Sequence, residues 1–204
     1  LSYSATGLPP GLALNPTSGL IAGTLDSSAS AGGPYSVTIT ADDGNGGTTT
    51  QSFTWIVNNP TPTANDDNYS LGEDAAATVL GNAISANDND PDGDVLTATV
   101  QTNVAGSNGG LFSIAANGQV SFQPNGQFED LAVGETRVTA ISYVITDADG
   151  ASDSATITVT VNGANDGPVT VGTIADQTHN DSTAVSLNVS GFFADADTSD
   201  TLSY

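Results

Sequence analysis

The chain is 204 residues long, enough for roughly one or two domains. It carries 23 acidic residues against a single basic one, Arg137, for a formal net charge of −22. Nucleic acid and anionic membrane surfaces are therefore poor partners, because both need clustered Lys or Arg. There is no Cys and the only His is His179, which rules out disulfides, thiolate metal sites and a structural zinc.

Only Glu73, Glu129 and Glu135 are glutamates, so the negative charge is nearly all Asp. Asp suits turns and metal loops better than helix interiors. Hydrophobic residues make up 37% of the chain and fall in alternating runs, unlike a disordered acidic tail. Taken in order, the first paired runs are 35–39 and 53–57, joined across Asp43-Gly44-Asn45-Gly46. A polar loop at 87–94 precedes strand-like runs at 95–100 and 119–122, with turn signals at Asn117-Gly118 and Asn125-Gly126. A short helical turn is expected at 128–132. Runs at 141–145 and 156–161 then flank Asp149-Gly150. Asn-Gly and Asp-Gly favour tight hairpin turns because both residues tolerate positive φ. Short strands punctuated in this way predict an all-β fold of tandem Ig-like Greek-key sandwiches.

The chain also repeats itself. Ile39-Thr40-Ala41-Asp42-Asp43-Gly44 matches Ile145-Thr146-Asp147-Ala148-Asp149-Gly150. Asp90-Pro91-Asp92 matches Asp195-Ala196-Asp197 at nearly the same offset, about a hundred residues, an ordinary domain length. The expected organisation is a complete module over 60–166. Residues 1–59 read as the back part of a second, split module, and residues 167–204 as the front part of the next. Leu1-Ser2-Tyr3 and Leu202-Ser203-Tyr204 fit a tandem array.

Asp88, Asp90, Asp92 and Asp94 place a carboxylate at every second position, with Gly93 for a sharp bend. That spacing lets a single turn aim several oxygens at a hard cation, calcium before magnesium. Thr99 stands where an EF-hand loop would carry its bidentate Glu, so this is a β-sandwich loop and not an EF-hand. Asp195, Asp197 and Asp200 form a similar loop; Asp147 and Asp149, with Asp153, flank a third. A solvated Asp-rich turn is the alternative reading for each, and for Asp147 and Asp149 a simple hairpin accounts for them nearly as well. His179 reads as a solvated turn residue, and Trp55 as strand packing. Arg137 is expected to pair with a nearby acid such as Glu135. No catalytic pair of carboxylates stands out, so an enzyme is not expected.

The segments Phe128-Glu129-Asp130-Leu131-Ala132, Ser142-Tyr143-Val144-Ile145-Thr146-Asp147 and Ala164-Asn165-Asp166 resemble VCBS and bacterial cadherin-like modules. The stretch Asn15-Pro16-Thr17-Ser18-Gly19-Leu20, with Phe193-Ala194-Asp195-Ala196-Asp197, resembles a split dystroglycan-type cadherin-like or Ig module. The resemblance implies calcium bound at the linkers, through Asn65, Asp66 and Asp67 in one and Asn165 and Asp166 in the other. Glu73 and Asp74, together with the Asp-x-Asp pairs, would complete these sites. Thr63 and Gly163 depart from the family, which places Asp there. The implied role is an extender in a long bacterial cell-surface adhesin of the RTX type, acting outside the cell. Neighbouring repeats are the expected partners, with head-to-tail completion of the split module. The alternative is a calcium-dependent carbohydrate- or surface-binding module.

Overall fold

A computed structural model describes residues 1–203. Tyr204, and with it the end of the second Leu-Ser-Tyr triplet, lies outside the described residues. Strands β1 (Ser2–Thr6), β2 (Leu12–Leu14), β3 (Ile21–Gly23), β4 (Tyr35–Asp42) and β5 (Thr48–Trp55) come first. Then follow β6 (Asp67–Gly72), β7 (Thr78–Asn82), helix α1 (Ala83–Asn87), β8 (Thr97–Ala98), β9 (Gln101–Ala105), β10 (Leu111–Ile114) and β11 (Gln119–Gln123). The long strands β12 (Thr136–Thr146) and β13 (Ser152–Asn162) precede β14 (Val169–Thr170), a 3-10 turn at Ser190–Phe192 and β15 (Phe193–Ala194). Sheet orders are β1-β4-β5, β7-β11-β10-β9 and β6-β13-β12-β8, with two-stranded pairs β2-β3 and β14-β15. The fold is all-β, with the two four-stranded sheets as layers of a sandwich.

The chain forms two compact units. The first contains Leu1–Asn65, Asn87–Thr99 and Val144–Ser154. Its three-stranded sheet is amphipathic by register. Tyr3 lies opposite Ala41 and Ala5 opposite Ile39; Val37 lies opposite Phe53 and Tyr35 opposite Trp55, so one face is apolar. The other face alternates Ser and Thr from all three strands. Val37 is fully buried, and the Tyr35 hydroxyl donates to the Ala29 carbonyl at 2.6 Å. The expected strand at 95–100 shrinks to the pair Thr97–Ala98, with Val95 exposed before it. The Thr99 N–H still reaches the Val144 carbonyl at 2.9 Å.

The second unit contains Asp66–Ala86, Val100–Tyr143 and the chain from Ala155 onward. Its core holds Phe112, Phe122, Phe128, Tyr143, Ile157 and Val159, all with little or no exposure. The Phe112 and Phe122 rings pack tilted at 4.6 Å between centroids. Strand β6 runs parallel to β13, from Asp67 opposite Ile157 to Gly72 opposite Asn162. Asn125 and Gly126 both take positive φ, 59° and 61°, as the expected tight turn requires. The helical turn expected at 128–132 is present as one hydrogen-bonded turn, with the Leu131 N–H donating to the Phe128 carbonyl at 3.0 Å, and it goes no further because Phe128 turns inward to the core. The α-helix lies at Ala83–Asn87, where the Asn82 side chain accepts the Ser85 N–H at 2.9 Å as an N-cap. Arg137 pairs with Asp130 at 2.6 Å rather than with Glu135, whose carboxylate accepts the Ala132 N–H.

Candidate metal centres

In the first unit, acidic side chains gather from two stretches of sequence. The loop after Asn89 folds around Asp90, whose Oδ1 accepts the N–H groups of Asp92, Gly93 and Asp94 at 3.1, 3.1 and 3.2 Å. That arrangement leaves Asp90 Oδ2 buried without a hydrogen-bond partner, and the same holds for Asp92 Oδ1 and Asp94 Oδ2. The β12–β13 turn supplies Asp147, whose Oδ1 accepts the N–H groups of Asp149 and Ala151 at 3.0 and 2.9 Å. Asn59 donates to Asp147 Oδ2 at 2.8 Å, and the Ser30 hydroxyl contacts Asp149.

Mutual repulsion marks this cluster. The Asp92 carboxyl is pushed up to about 6 by its hydrogen bond with Asp90, by burial and by the charges of Asp90 and Asp94. Asp94 is raised by burial, then by the charges of Asp149, Asp90 and Asp147. Asp90 also pays for burial, yet hydrogen bonds from Asp92 and from the N–H groups of Asp94, Asp92 and Gly93 hold it below the ordinary range.

In the second unit the convergence is tighter. Glu73, Asp166 and Asp197 each bring a carboxylate oxygen within 4.8 Å of the others, as do Asp74, Glu129 and Asp166, and Asp195, Asp197 and Asp200. Glu73 is 3% exposed and Asp197 is 2% exposed. Glu73 Oε1 accepts the Ala164 N–H at 2.6 Å, and Asp197 Oδ2 accepts the Asp166 N–H at 3.0 Å. Their other oxygens, Glu73 Oε2 and Asp197 Oδ1, are buried without a hydrogen-bond partner, as is Asp166 Oδ2. Burial, then the charges of Asp166, Glu129 and Asp74, raises Glu73 despite the Ala164 hydrogen bond. Glu129 is raised by burial and by Asp166 and Asp74; Asp166 by burial and by Asp197, Asp74 and Asp195.

Other expected ligands also have hydrogen bonds or burial within the protein. Asp66 Oδ1 accepts the Thr156 N–H at 2.8 Å, and Asp67 is buried at the start of β6. The Asn65 N–H donates to Asp88 Oδ1 at 2.8 Å, and its side chain to the Asn87 carbonyl. Asn165 donates to the Asp166 carbonyl. Glu129 and Asn59 were not singled out by sequence. Glu129 follows a core Phe in a segment that reads as a helical turn, and its partner acids lie far away along the chain.

Buried carboxylate oxygens are costly unless hydrogen-bonded or paired with a cation. Among the described residues the only ion pair is Arg137–Asp130. The donor set is all oxygen, arranged on turns, and fits calcium. In the first unit Asp90, Asp92 and Asp94 offer buried oxygens without a hydrogen-bond partner, but among the described residues no three acids there bring their ligand atoms within 4.8 Å of one another. In the second, Glu73, Asp74, Glu129, Asp166, Asp195, Asp197 and Asp200 would hold calcium.

The fold and its turns define the class: an all-β, sandwich-type module with clustered carboxylates on its loops. Residues 59–163, more than half the chain, match the Bacterial cadherin-like domain family, and the chain belongs to that family. Residues 1–58 match the family described as Putative Ig domain. Cadherin-like modules generally bind calcium, and theirs is a family of adhesion domains rather than of enzymes. No curated protein matches the sequence. Among solved structures, the chain is 18% identical to mouse protocadherin-24 EC1-3, over 84% of this chain and 58% of that one, at a TM-score of 0.37. It is 15% identical to the human desmocollin-1 ectodomain, over 84% of this chain and 35% of that one, at 0.41. Against Drosophila N-cadherin EC1-3 the identity is 16%, over 79% of this chain and 55% of that one, at 0.39. The chain thus spans less than two thirds of each. Among the described residues, no helix is long and apolar enough to cross a membrane.

Proposed function

We propose that this chain is an extender repeat of a long bacterial cell-surface adhesin of the RTX type, a calcium-stiffened spacer that projects a ligand-binding region away from the cell. One observation carries the reading: each acidic cluster, inside its own unit, joins residues on both sides of a module boundary. In the first unit Ser30 contacts Asp149, and the linker residue Asn59 holds Asp147. In the second unit Glu73 meets Asp166 and Asp197, which lie beyond the cadherin-like match. Bound calcium would supply the positive charge and take about six to eight oxygen ligands. Without it the carboxylates of each cluster repel, and the boundary they adjoin loosens.

The protein's own residues prepare for this. The Asp90 and Asp147 turns fix one carboxylate oxygen each through backbone N–H groups and leave a second oxygen or its neighbours facing the cluster. The Ala164 N–H holds Glu73 in the same manner. A carbohydrate-binding role draws less support. The cleft of about 380 Å³ beside Asp92 is lined by Thr24, Leu25, Asp26, Ser30 and Pro60 and carries no aromatic platform.

Small-angle scattering and thermal melting of the whole chain, in calcium and in chelator, test the reading. Calcium should raise the melting temperature and lengthen the particle, since a ligand bound only to the native state stabilises it by mass action. The same dimensions and the same melting temperature in both buffers would refute it.

A further inference from the structure

Strand β5 ends its sheet, whereas its counterpart in the cadherin-like module does not. The registers establish the equivalence. Ile39 of β4 pairs with Ala5 of β1, and Ile145 of β12 pairs with Ala98 of β8. Both β4–β5 and β12–β13 are long hairpins closed by an Asp-bearing turn. So β1, β4 and β5 correspond to β8, β12 and β13. In the cadherin-like module the sheet continues: β6 lies parallel along β13, and Ile157, Val159 and Val161 are fully buried. Along β5, by contrast, every residue from Thr48 to Thr54 is exposed, with Phe53 at 40%. The β2–β3 hairpin shows the same deficit. Its counterpart β10–β11 is extended by β7, and among the described residues β3 pairs with β2 alone.

The chain also contains a segment with the two missing strands. The bridge Thr63↔Asn89 at the start of the cadherin-like module reappears as Val169↔Ala194. A short helical turn precedes the acidic loop in both places, α1 in one and Ser190–Phe192 in the other. Residues 172–189 therefore stand where β6 and β7 stand in the complete module. Ile174 falls in the β6 position. Val185 and Leu187 alternate with polar neighbours in the β7 position, as strand residues do. All three side chains are exposed, at 42%, 53% and 47%.

We propose that residues 172–189 of a second copy dock on the β1–β5 region of the first, the stretch around Ile174 parallel to β5 and the stretch around Val185 and Leu187 antiparallel to β3. The docking reproduces, between copies, the β6–β13 and β7–β11 interfaces that the cadherin-like module already makes internally. It is strand addition to an exposed sheet edge: main-chain hydrogen bonds hold the donor, and alternate apolar side chains fill the open face. Phe53 and Trp55 would be covered by it. Because donor and acceptor are different surfaces, the contact is heterologous and propagates as an open head-to-tail chain. No step in it needs a cation, so it stands apart from the spacer reading.

Sedimentation velocity on the full-length chain tests this, in chelator and in calcium. The weight-average mass should climb past that of a dimer as concentration rises. The double variant Ile174→Asp/Leu187→Asp, which leaves the acceptor intact, should stay monomeric alone. Phe53→Asp should also stay monomeric, and an equimolar mixture of the two should stop at a dimer. Amide exchange supplies a readout that does not depend on the Phe53 variant folding. Backbone amides of β5 should be protected in the concentrated parent chain and unprotected in the tail variant. A parent chain that stays monomeric throughout overturns the proposal, and so does a tail variant that assembles like the parent. Neither result bears on whether calcium stiffens the module boundaries.

Discussion

Glu73 commits one oxygen to the Ala164 N–H and leaves the other buried without a hydrogen-bond partner, close to Asp166 and Asp197. Glu73→Gln keeps a carbonyl oxygen for that hydrogen bond and removes a ligand charge. Calorimetric titration should show calcium binding in this variant weakened roughly tenfold or more. Its melting temperature in chelator should be unchanged or higher, because a repulsive charge is gone. A variant that binds like the parent would remove Glu73 from the site. Asp92 carries a pH signature. Its folded value, about 6, lies above the ordinary carboxylate value, and Asp94, Glu73, Glu129 and Asp166 are raised too. At these five acids the native state binds more protons than the unfolded chain between about pH 4 and pH 6, so their contribution to stability in chelator falls as pH rises through that window, whereas the lowered Asp43, Asp90, Asp130 and Asp153 act below it. Melting in chelator should be higher at about pH 5 than at about pH 7. Saturating calcium should reverse the order, because protons then compete with the ion. A flat profile in chelator would show that the raised acids do not govern stability.

At the scale of elements, the exit from the cadherin-like module turns on a close backbone approach. A Cβ on Gly163 would sit 2.3 Å from the carbonyl oxygens of both Leu131 and Ala132. The same 128–135 segment holds Glu129 beside Asp74 and Asp166. Gly163→Ala should cost about 1–3 kcal/mol through overpacking, measured by urea unfolding in chelator. It should also weaken calcium binding, since pushing the segment away carries Glu129 with it. Stability loss with calcium affinity intact would separate the segment from the metal site. Thr63 and Gly163 stand where the family resemblance places Asp. At position 163 the packing explains the departure: there is no room for any side chain.

At the scale of the whole molecule, the strands were the legible part. The alternation in 35–39, 119–122, 141–145 and 156–161 names residues that lie in β4, β11, β12 and β13. The turns were legible in part: Asn117-Gly118 closes the β10–β11 hairpin, whereas Asn125 and Gly126, both at positive φ, turn the chain from one sheet towards the other. The candidate sites were visible only as loops rich in Asp. Which oxygens meet depends on chain crossings between residues as distant as Glu73 and Asp197, and local spacing carries no record of those. The 128–132 segment keeps a single hydrogen-bonded turn and no longer helix, because Phe128 enters the core under the Arg137 guanidinium, 5.7 Å from the ring. That guanidinium has a further consequence. Trypsin cuts only after Lys or Arg, so the whole chain offers it a single target, the bond between Arg137 and Val138. That bond lies inside the eleven-residue β12, and its side chain is clamped by both oxygens of Asp130. Digestion should leave the native protein whole and yield just two fragments, 1–137 and 138–204, once it is unfolded. A surface built this way offers a protease of trypsin's specificity almost nothing to recognise.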